Sequence, residues 1–445
     1  MPNSVVKPLS ADGSVGSPHV RVGHRQASIP NPGHWPGFIR LGVSPWRVPE
    51  RRPGHRQASI SKPQPTRLGF FYARLFGNEY QLSEAIVNRV PNEWLLYCRA
   101  GFEPDLAAEI TTRAHKLDEP GQVVAAESNS GFVRWQSHDS RPANGVHRGL
   151  PLMSLVFARQ SLVAFEPLSL SRDDRISPIV ELIKESGWNF ESIWHETPDT
   201  NDGKSLARLA KSLGRPLESA LKRGGGLRRK AGGRRLHLFW LAGDAVQIGM
   251  SFPGNRSEHP GGVLRLRHPA DAPSRSTLKL EEAWHTFVPK EAWESRLHEG
   301  MQAVDLGAAP GGWTYQLVRR GMFVYAIDNG PMASGLMATG QVEHLREDGF
   351  VWEPPYRLDW LVCDIVDKPM RVIDMVERWL IKRWCREAVF NLKLPMKKRW
   401  EEVQRCLTRL EINLKAEGVE ADIACRHLYH DREEVTVHVR LDGER

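Results

Sequence analysis

A short apolar run, Ala303–Leu306, breaks at Gly307 and passes through Ala308-Ala309-Pro310-Gly311-Gly312 into residues 313–320, which have helical character. Gly307 permits a sharp turn where a side chain would meet a ligand, and Gly311 and Gly312 let the backbone come close at the start of the helix. The segment Asp305-Leu306-Gly307-Ala308-Ala309-Pro310-Gly311-Gly312 has neither the GxGxxG spacing of a pyrophosphate cradle nor the Gly-Lys-Ser/Thr ending of a P-loop. Its Pro-Gly-Gly form suits a cofactor without phosphate, wrapped at its amino-acid end; S-adenosyl-L-methionine is the expectation. Asp328 ends the next apolar run, where a carboxylate accepts hydrogen bonds from ribose hydroxyls. Asp348, followed by Gly349, falls where a loop after a third strand reaches an adenine amino group.

Four further residues could do chemistry beside such a loop. Lys279 lies in Ser274-Arg275-Ser276-Thr277-Leu278-Lys279-Leu280, Asp364 closes the run Trp360–Asp364, and Lys393 closes Ala388–Leu392. Glu433 and Glu434 precede Val435-Thr436-Val437-His438-Val439, read as a final strand. The carboxyl ends of strands in an open α/β sheet converge on one crevice. Each residue alone reads as a surface lysine or a turn carboxylate, whereas their joint placement around one loop is unlike chance.

The elements that must position them follow from periodicity. Ala303–Leu306, Met322–Ile327, Trp360–Asp364 and Glu387–Leu392 are short apolar runs of parallel-sheet type, with helices at Trp313–Arg319 and Val372–Arg383 between them. This alternation predicts a doubly wound, Rossmann-like α/β domain over 274–445, which the cofactor loop makes a methyltransferase domain. Upstream, Trp94–Cys98, Gly131–Trp135, Leu155–Ala158, Leu236–Trp240 and Ala245–Met250 read as strands. Phe102–Leu117, Ile179–Ser186 and Gly203–Leu213 read as helices. They predict an α+β region over 93–252, joined by a Pro/Gly-rich linker at 253–273.

Residues 1–66 hold 11 of the 31 prolines, and GHRQASI occurs at Gly23–Ile29 and again at Gly54–Ile60 without the apolar pattern a stacking repeat needs. Residues 1–92 are therefore expected to be a disordered or misassigned upstream extension. They also carry the charge excess of the chain, with 12 Lys and Arg against 4 Asp and Glu, which leaves 49 of each sign in the rest. The net charge of +8 is thus no argument for nucleic-acid binding by the folded body. No apolar run reaches the roughly 18 residues of a membrane span, and the first thirty residues lack the apolar core of a secretory signal. Five scattered cysteines without a CxxC pair exclude a zinc ribbon or disulfide framework, predict no metal site, and fit a reducing cytoplasm.

The order Lys279, Asp364, Lys393, Glu434 resembles the K-D-K-E tetrad of ribose 2′-O-methyltransferases, as do Ser-Arg-Ser-x-x-Lys-Leu and Asp-Leu-Gly-x-x-Pro-Gly-Gly. From Trp94 onward the chain is similar to a family of bacterial large-subunit (23S) ribosomal RNA (cytidine-2′-O)-methyltransferases. The likeness is carried by LLYCRAGFE, DLGAAPGGWTYQLVRRG, FNLKLPMKKRW and RHLYHDREEVTVHVR. Ala309 departs from the cysteine common there, a change that spares a backbone contact. The resemblance implies a ferredoxin-like and THUMP region before the catalytic domain, and 23S ribosomal RNA as partner, naked or in a precursor particle. It further implies cofactor contacts at Ser276, Ala309, Pro310, Gly311, Gly312, Asp328, Asp348 and Asp364, and Lys393 as proton acceptor. Glu434 is preferred to Glu433 because it directly precedes the valine of the final strand. The chemistry agrees: a ribose hydroxyl is a poor nucleophile at neutral pH, a methyl sulfonium is already activated, and the protein must supply position and a base.

For RNA contacts, Lys222–Arg235 contains seven basic residues and no acid, with glycines expected to keep it mobile. Lys397-Lys398-Arg399 is placed to hold phosphates near Lys393, and Trp400 either stacks on a base or belongs to the core. Two alternatives stand beside the ribose reading. Glu353-Pro354-Pro355-Tyr356 resembles the motif of base N-methyltransferases but precedes its strand instead of ending it. The other is a non-catalytic RNA-binding assembly factor that kept the fold.

Overall fold

In the computed structural model, residues 90–138 and 143–441 are described; the proline-rich segment and its GHRQASI repeat lie outside the described residues. Alternating and continuous apolar runs in the first half build one sheet of eight strands. These are β1 (Glu93–Tyr97), β2 (Gly121–Ala125), β3 (Phe132–Ser137), β4 (Gln160–Ala164), β5 (Leu168–Ser169), β6 (Ser192–Glu196), β7 (Arg235–Ala242) and β8 (Ala245–Ser251). Their order is β2-β3-β1-β4-β8-β7-β6, with β5 beside β8. Pairing is antiparallel except between β6 and β7. The helices of this half are α1 (Glu103–Lys116), α2 (Asn144–Gly149), α3 (Ser177–Ser186) and α4 (Asn201–Arg223).

Two sequence expectations fail here for physical reasons. Leu155–Ala158 is buried but not a strand. Its backbone groups are met by side chains: Glu109 accepts from the N–H of Val156 (2.7 Å) and Phe157 (3.0 Å), and Arg426 donates to the carbonyls of Leu155 (2.9 Å) and Ala158 (2.6 Å). A buried segment needs its polar groups paired, and ion-bearing side chains do this as well as a sheet neighbour. Helix α4 does not stop at Leu213. It runs through Gly214 and Pro216 because Ala210, Leu217 and Leu221 continue one buried stripe.

The second sheet contains β9 (Gln302–Leu306), β10 (Phe323–Ile327), β11 (Val342–Leu345), β12 (Leu358–Cys363), β13 (Cys385–Lys393), β14 (Ala421–Arg426) and β15 (Glu434–Leu441). Its helices are α5 (Thr277–Phe287), α6 (Trp293–Arg296), α7 (Gly312–Arg319), α8 (Ser334–Met337), α9 (Pro369–Ile381) and α10 (Arg399–Ala416). The order is β11-β10-β9-β12-β13-β15-β14: the chain starts at the inner strand β9, runs outward to β11, then crosses back to β12. Five strands are parallel, and β15 inserts antiparallel beside β13. The α/β Rossmann-type architecture expected from the alternating runs is what forms. Helices α5 and α7 cover one face through Leu280, Trp284, Trp313 and Leu317, against Ala303, Val324, Val362 and Val389. Helices α9 and α10 cover the other through Ile373, Val376, Val403 and Leu410. Among the described residues no helix is long and apolar enough to cross a membrane, and all five cysteines are buried and outside any disulfide.

The two sheets share one apolar core that runs from Trp94, Leu106 and Phe157 to Trp400, Cys406 and Val437. Buried charges cross the same boundary. Arg426, at the end of β14, reaches Leu152, Leu155 and Ala158 carbonyls. Arg399 pairs with Asp105 of α1 at 2.9 Å and stacks on Phe102 with its guanidinium 4.2 Å from the ring centroid. Arg426→Leu should therefore leave buried carbonyls unpaired and destabilise the chain by about 3 kcal/mol. Urea unfolding followed by tryptophan fluorescence measures this, and a loss under about 1 kcal/mol would show that the contacts do not join the halves.

Candidate active site

The crossing from β11 to β12 leaves a crevice at the carboxyl ends of β9 and β12. The glycine loop occupies it. Gly307 has φ 78°, and a Cβ there would lie 2.5 Å from Ile365 Cγ1, so no other residue makes this turn without displacing the β12 end. Asp305 is buried beneath the loop and accepts from Thr314 N (2.8 Å) and Thr314 Oγ1 (2.6 Å), tying strand β9 to the first turn of α7. Burial pushes its carboxyl up to about 7, against the pull of those two donors. At Gly312 a Cβ would stand 2.1 Å from Ser276 Oγ and 2.4 Å from Ser274 Oγ. The two hydroxyls are themselves hydrogen bonded at 2.6 Å, so Ser276 is seated directly on the loop.

Asp328, just past β10, accepts from Ala309 N (3.0 Å) and Gly330 N (2.6 Å), one bond to each oxygen. Its orientation is thus set by the loop, and each oxygen keeps acceptor capacity. Asp348 follows β11 and is exposed; Oδ1 accepts from Phe350 N at 2.9 Å, which makes it the cap of a tight turn.

The four chemical residues meet beside this loop. Lys279, two residues into α5, places Nζ 3.1 Å and 2.9 Å from the two oxygens of Asp364 and 2.6 Å from Glu434 Oε1. Lys393 Nζ lies 2.8 Å from Glu434 Oε2. Lys393 and Glu434 are also direct partners across the β13–β15 ladder. Because β15 is antiparallel, its first residue lies at the same end as the last residue of β13, which is how a residue 41 positions away in sequence enters the site. Glu433 points elsewhere, to Arg399 at 2.8 Å.

Electrostatics divide these groups. Burial raises the carboxyl of Glu434, which is 2% exposed, but hydrogen bonds and charge from Lys279 and Lys393 outweigh it and hold it at about 2. Burial likewise lowers Lys279, and Asp364 and Glu434 more than reverse this, so its pKa is raised.

Sequence reading missed the support beneath the tetrad. Asn391, fully buried, donates to Asp364 Oδ1 at 2.8 Å and accepts from Thr436 Oγ1 at 2.8 Å. Thr436 in turn lies 3.1 Å from Asp431 Oδ1. Burial, helped by Glu282 and Glu434, pushes Asp431 well above the usual carboxylate range. The Thr436 hydroxyl thus stands between Asn391 Oδ1 and the Asp431 carboxyl, and its bond to the amide oxygen leaves the Asn391 N–H turned toward Asp364. The signal available was spacing: Asn391 and Lys393, two apart on a strand, share a face.

The basic runs behave differently from expectation. Lys222, Arg223, Arg228, Arg229 and Lys230 are exposed, but Arg235 is buried over Trp194 and bonded to Glu258 at 2.9 Å. Within the run, Phe190 and Leu227 form a bridge and Arg228 N donates to Phe190 O at 2.8 Å, which ties its middle to the segment before β6. Arg399 is consumed by Asp105 and Glu433, and Trp400 is core, 6% exposed and edge-on to Phe157. Glu353–Tyr356 lies before β12, away from the strand end. Beside the tetrad opens a cleft of about 790 Å³ lined by Lys279, Lys393 and Glu434 together with Arg99, Arg159, Arg275 and Arg432.

Glu434 is depressed from 4.5, so its ionised form stabilises the fold above about pH 4.5, and that contribution is lost as pH falls toward 2. The stability gap between wild type and Glu434→Gln should therefore be full at pH 7 and narrow below about pH 4.5. Thermal melts across pH 3 to 7 measure it, and a gap independent of pH would remove the shared carboxylate from the account.

Three family models match the chain: RlmM ferredoxin-like domain over residues 92–162, ribosomal RNA large subunit methyltransferase M, N-terminal, over 174–252, and FtsJ-like methyltransferase over 272–405. The protein named ribosomal RNA large subunit methyltransferase M from Chromohalobacter salexigens is 70% identical over 352 residues, covering 79% of this chain and 98% of the relative. Proteins of the same name from Histophilus somni and Pectobacterium carotovorum are 48% and 49% identical, covering 79% and 78% of this chain and 99% and 96% of their own.

Proposed function

The chain belongs to the ribosomal RNA large subunit methyltransferase M family, and from that premise we propose that it methylates the ribose 2′-hydroxyl of a cytidine in 23S ribosomal RNA, with S-adenosyl-L-methionine as donor and Lys393 as general base. The RNA is taken naked or in a precursor particle, in the cytoplasm. The observation that carries the reading is the contrast between the two lysines around Glu434. Lys279, 12% exposed, is held as a cation by two carboxylates. Lys393, 26% exposed, pairs with Glu434 and lines the open cleft.

The residues at the loop fit the cofactor. The space at Gly312 that a Cβ would fill, the backbone from Ala309 to Gly312, and Ser276 suit its amino-acid end. Asp328 has acceptor capacity left for ribose hydroxyls, Asp348 for an adenine amino group, and Asp364 adjoins the reacting centre. When bound, the cofactor would supply a methyl group already activated by its sulfonium, and loss of that methyl through cleavage of the S–CH3 bond would leave the neutral thioether S-adenosylhomocysteine. The chain's own task is then to position a hydroxyl and take its proton. Lys279 neutralises Asp364 and Glu434 and fixes both. Lys393, once deprotonated, accepts the proton of the 2′-hydroxyl at Nζ as the oxygen takes up the methyl carbon. The new ammonium stays paired with Glu434, so no isolated charge forms in the crevice. Asn391 holds Asp364 in place throughout.

Lys393→Ala should lower the turnover number by at least about 100-fold while leaving S-adenosyl-L-methionine affinity within about twofold of wild type, measured by calorimetry and by tritium transfer to unmodified ribosomal RNA. Nuclease digestion of the methylated RNA with mass spectrometry should find the methyl group on the ribose of a cytidine. A methylated base, or full turnover by the variant, would reject the assignment.

A further inference from the structure

Arg159 lies in the cleft wall immediately before β4 and is 4% exposed. A buried guanidinium ordinarily has its donors paired. Arg426 in the same molecule obeys this, with bonds to three carbonyl oxygens. Arg159 does not. Nη1 reaches Asp199 Oδ2 at 3.4 Å, and both Nε and Nη2 have no partner. Arg235, Arg378 and Arg399 each leave a single nitrogen in that condition. Nε–H and Nη2–H lie on one edge of the guanidinium, side by side, which is the fork that grips two oxygens of a phosphate or carboxylate.

The surroundings favour an anion. Arg99 is near enough that its charge, after burial itself, lowers the pKa of Arg159. Arg99 Nη1 donates to the carbonyls of Tyr429 (3.2 Å) and Asp431 (2.7 Å). Lys204, Arg275 and Arg432 stand exposed on the rim. Against these, the carboxylates of Asp199, Asp431 and Glu434 line the same cleft; Glu434 is already shared by two lysines, and Asp431 is held toward its neutral form by burial. The guanidinium also sits over the ring of Tyr429, 5.3 Å from its centroid, with Gly262 packed so closely on the Arg159 backbone that a Cβ there would fall 2.3 Å from Arg159 O. The side chain is thus packed in place, with Nε and Nη2 unpaired just beneath the cleft surface.

We propose that Arg159 forms the floor of a subsite for an RNA phosphodiester close to the reacting ribose, with Arg275 and Arg432 as its rim. This rests on the RNA-methyltransferase reading and adds to it the residue that grips the substrate backbone. The same cleft holds Lys393, so a phosphate gripped by Arg159 belongs to the stretch of RNA that presents the hydroxyl.

The test is binding of a cytidine dodecamer RNA to the full chain over a range of salt, with wild type, Arg159→Gln and Arg159→Lys. Loss of one phosphate contact should reduce the slope of log affinity against log salt by about 0.7 in Arg159→Gln, lower affinity roughly tenfold, and leave S-adenosyl-L-methionine affinity unchanged. Arg159→Lys keeps the charge, so the slope should return while affinity stays several-fold below wild type. An unchanged slope in Arg159→Gln overturns the subsite, as does an affinity loss without a slope change. Should Arg159→Gln fail to fold, Arg159→Lys decides: wild-type affinity for the dodecamer overturns the proposal. Methyl transfer by the wild type to ribosomal RNA, assayed in parallel, reports on the enzymatic reading independently of these binding results.

Discussion

Two ammonium groups share one buried carboxylate at the end of the second sheet, and most of the molecule is arranged to make that tolerable. Glu434 with a single cation would be a neutral pair with one oxygen left without an ammonium; with two cations and no second acid, the crevice would carry a surplus of positive charge. Asp364 balances the set. That balance requires four chain segments to meet within hydrogen-bond distance: the first turn of α5, the end of β12, and the two strands of the ladder pair Lys393–Glu434. The antiparallel insertion of β15 is what allows the last of these, because it delivers the beginning of one strand to the end of its neighbour.

The same accounting of buried charge explains how the two sheets are joined. Glu109 and Arg426 take the place of a sheet neighbour for residues 155–158, and Arg399 connects α1, Phe102 and Glu433. Glu433 is adjacent to Glu434, so the joint between the halves and the shared carboxylate are consecutive residues of one turn. Glu282 of α5 extends the connection by accepting from the N–H groups of Tyr429 and His430 (2.8 and 2.9 Å), which holds the turn against the helix that also carries Lys279.

The cleft takes its character from this joint. Its wall combines residues of the first sheet, Arg99 and Arg159, with Lys279, Lys393 and Arg432 of the second. Cations gathered from distant positions give a strongly positive concavity in a body whose charges are balanced overall. The exposed run at Lys222–Lys230 adds to the surface field, but an exposed lysine or arginine is screened by solvent and salt, whereas a guanidinium held in a wall is not. Local geometry, more than net charge, sets where an RNA backbone can be held.

What could be read along the chain were features whose physics is local. The turn at Gly307, the helix start at Gly312, and the carboxyl ends at Asp364 and Lys393 follow from periodicity and from glycine, and the order of Lys279, Asp364, Lys393 and Glu434 carried the family likeness. The choice of Glu434 over Glu433 was available from strand phase. Other features were decided only by tertiary structure. Leu155–Ala158 has the composition of a strand, and nothing nearby in sequence reveals that Glu109 and Arg426 will satisfy it. Arg399 sits in a basic run and reads as a phosphate ligand until Asp105, 294 residues earlier, is brought beside it. Arg159 stands alone in sequence, and its unspent fork exists only because burial removes water while the fold supplies one distant carboxylate. Burial and partnership of a charge are properties of what surrounds it from every side, and a sequence specifies only two neighbours of each residue.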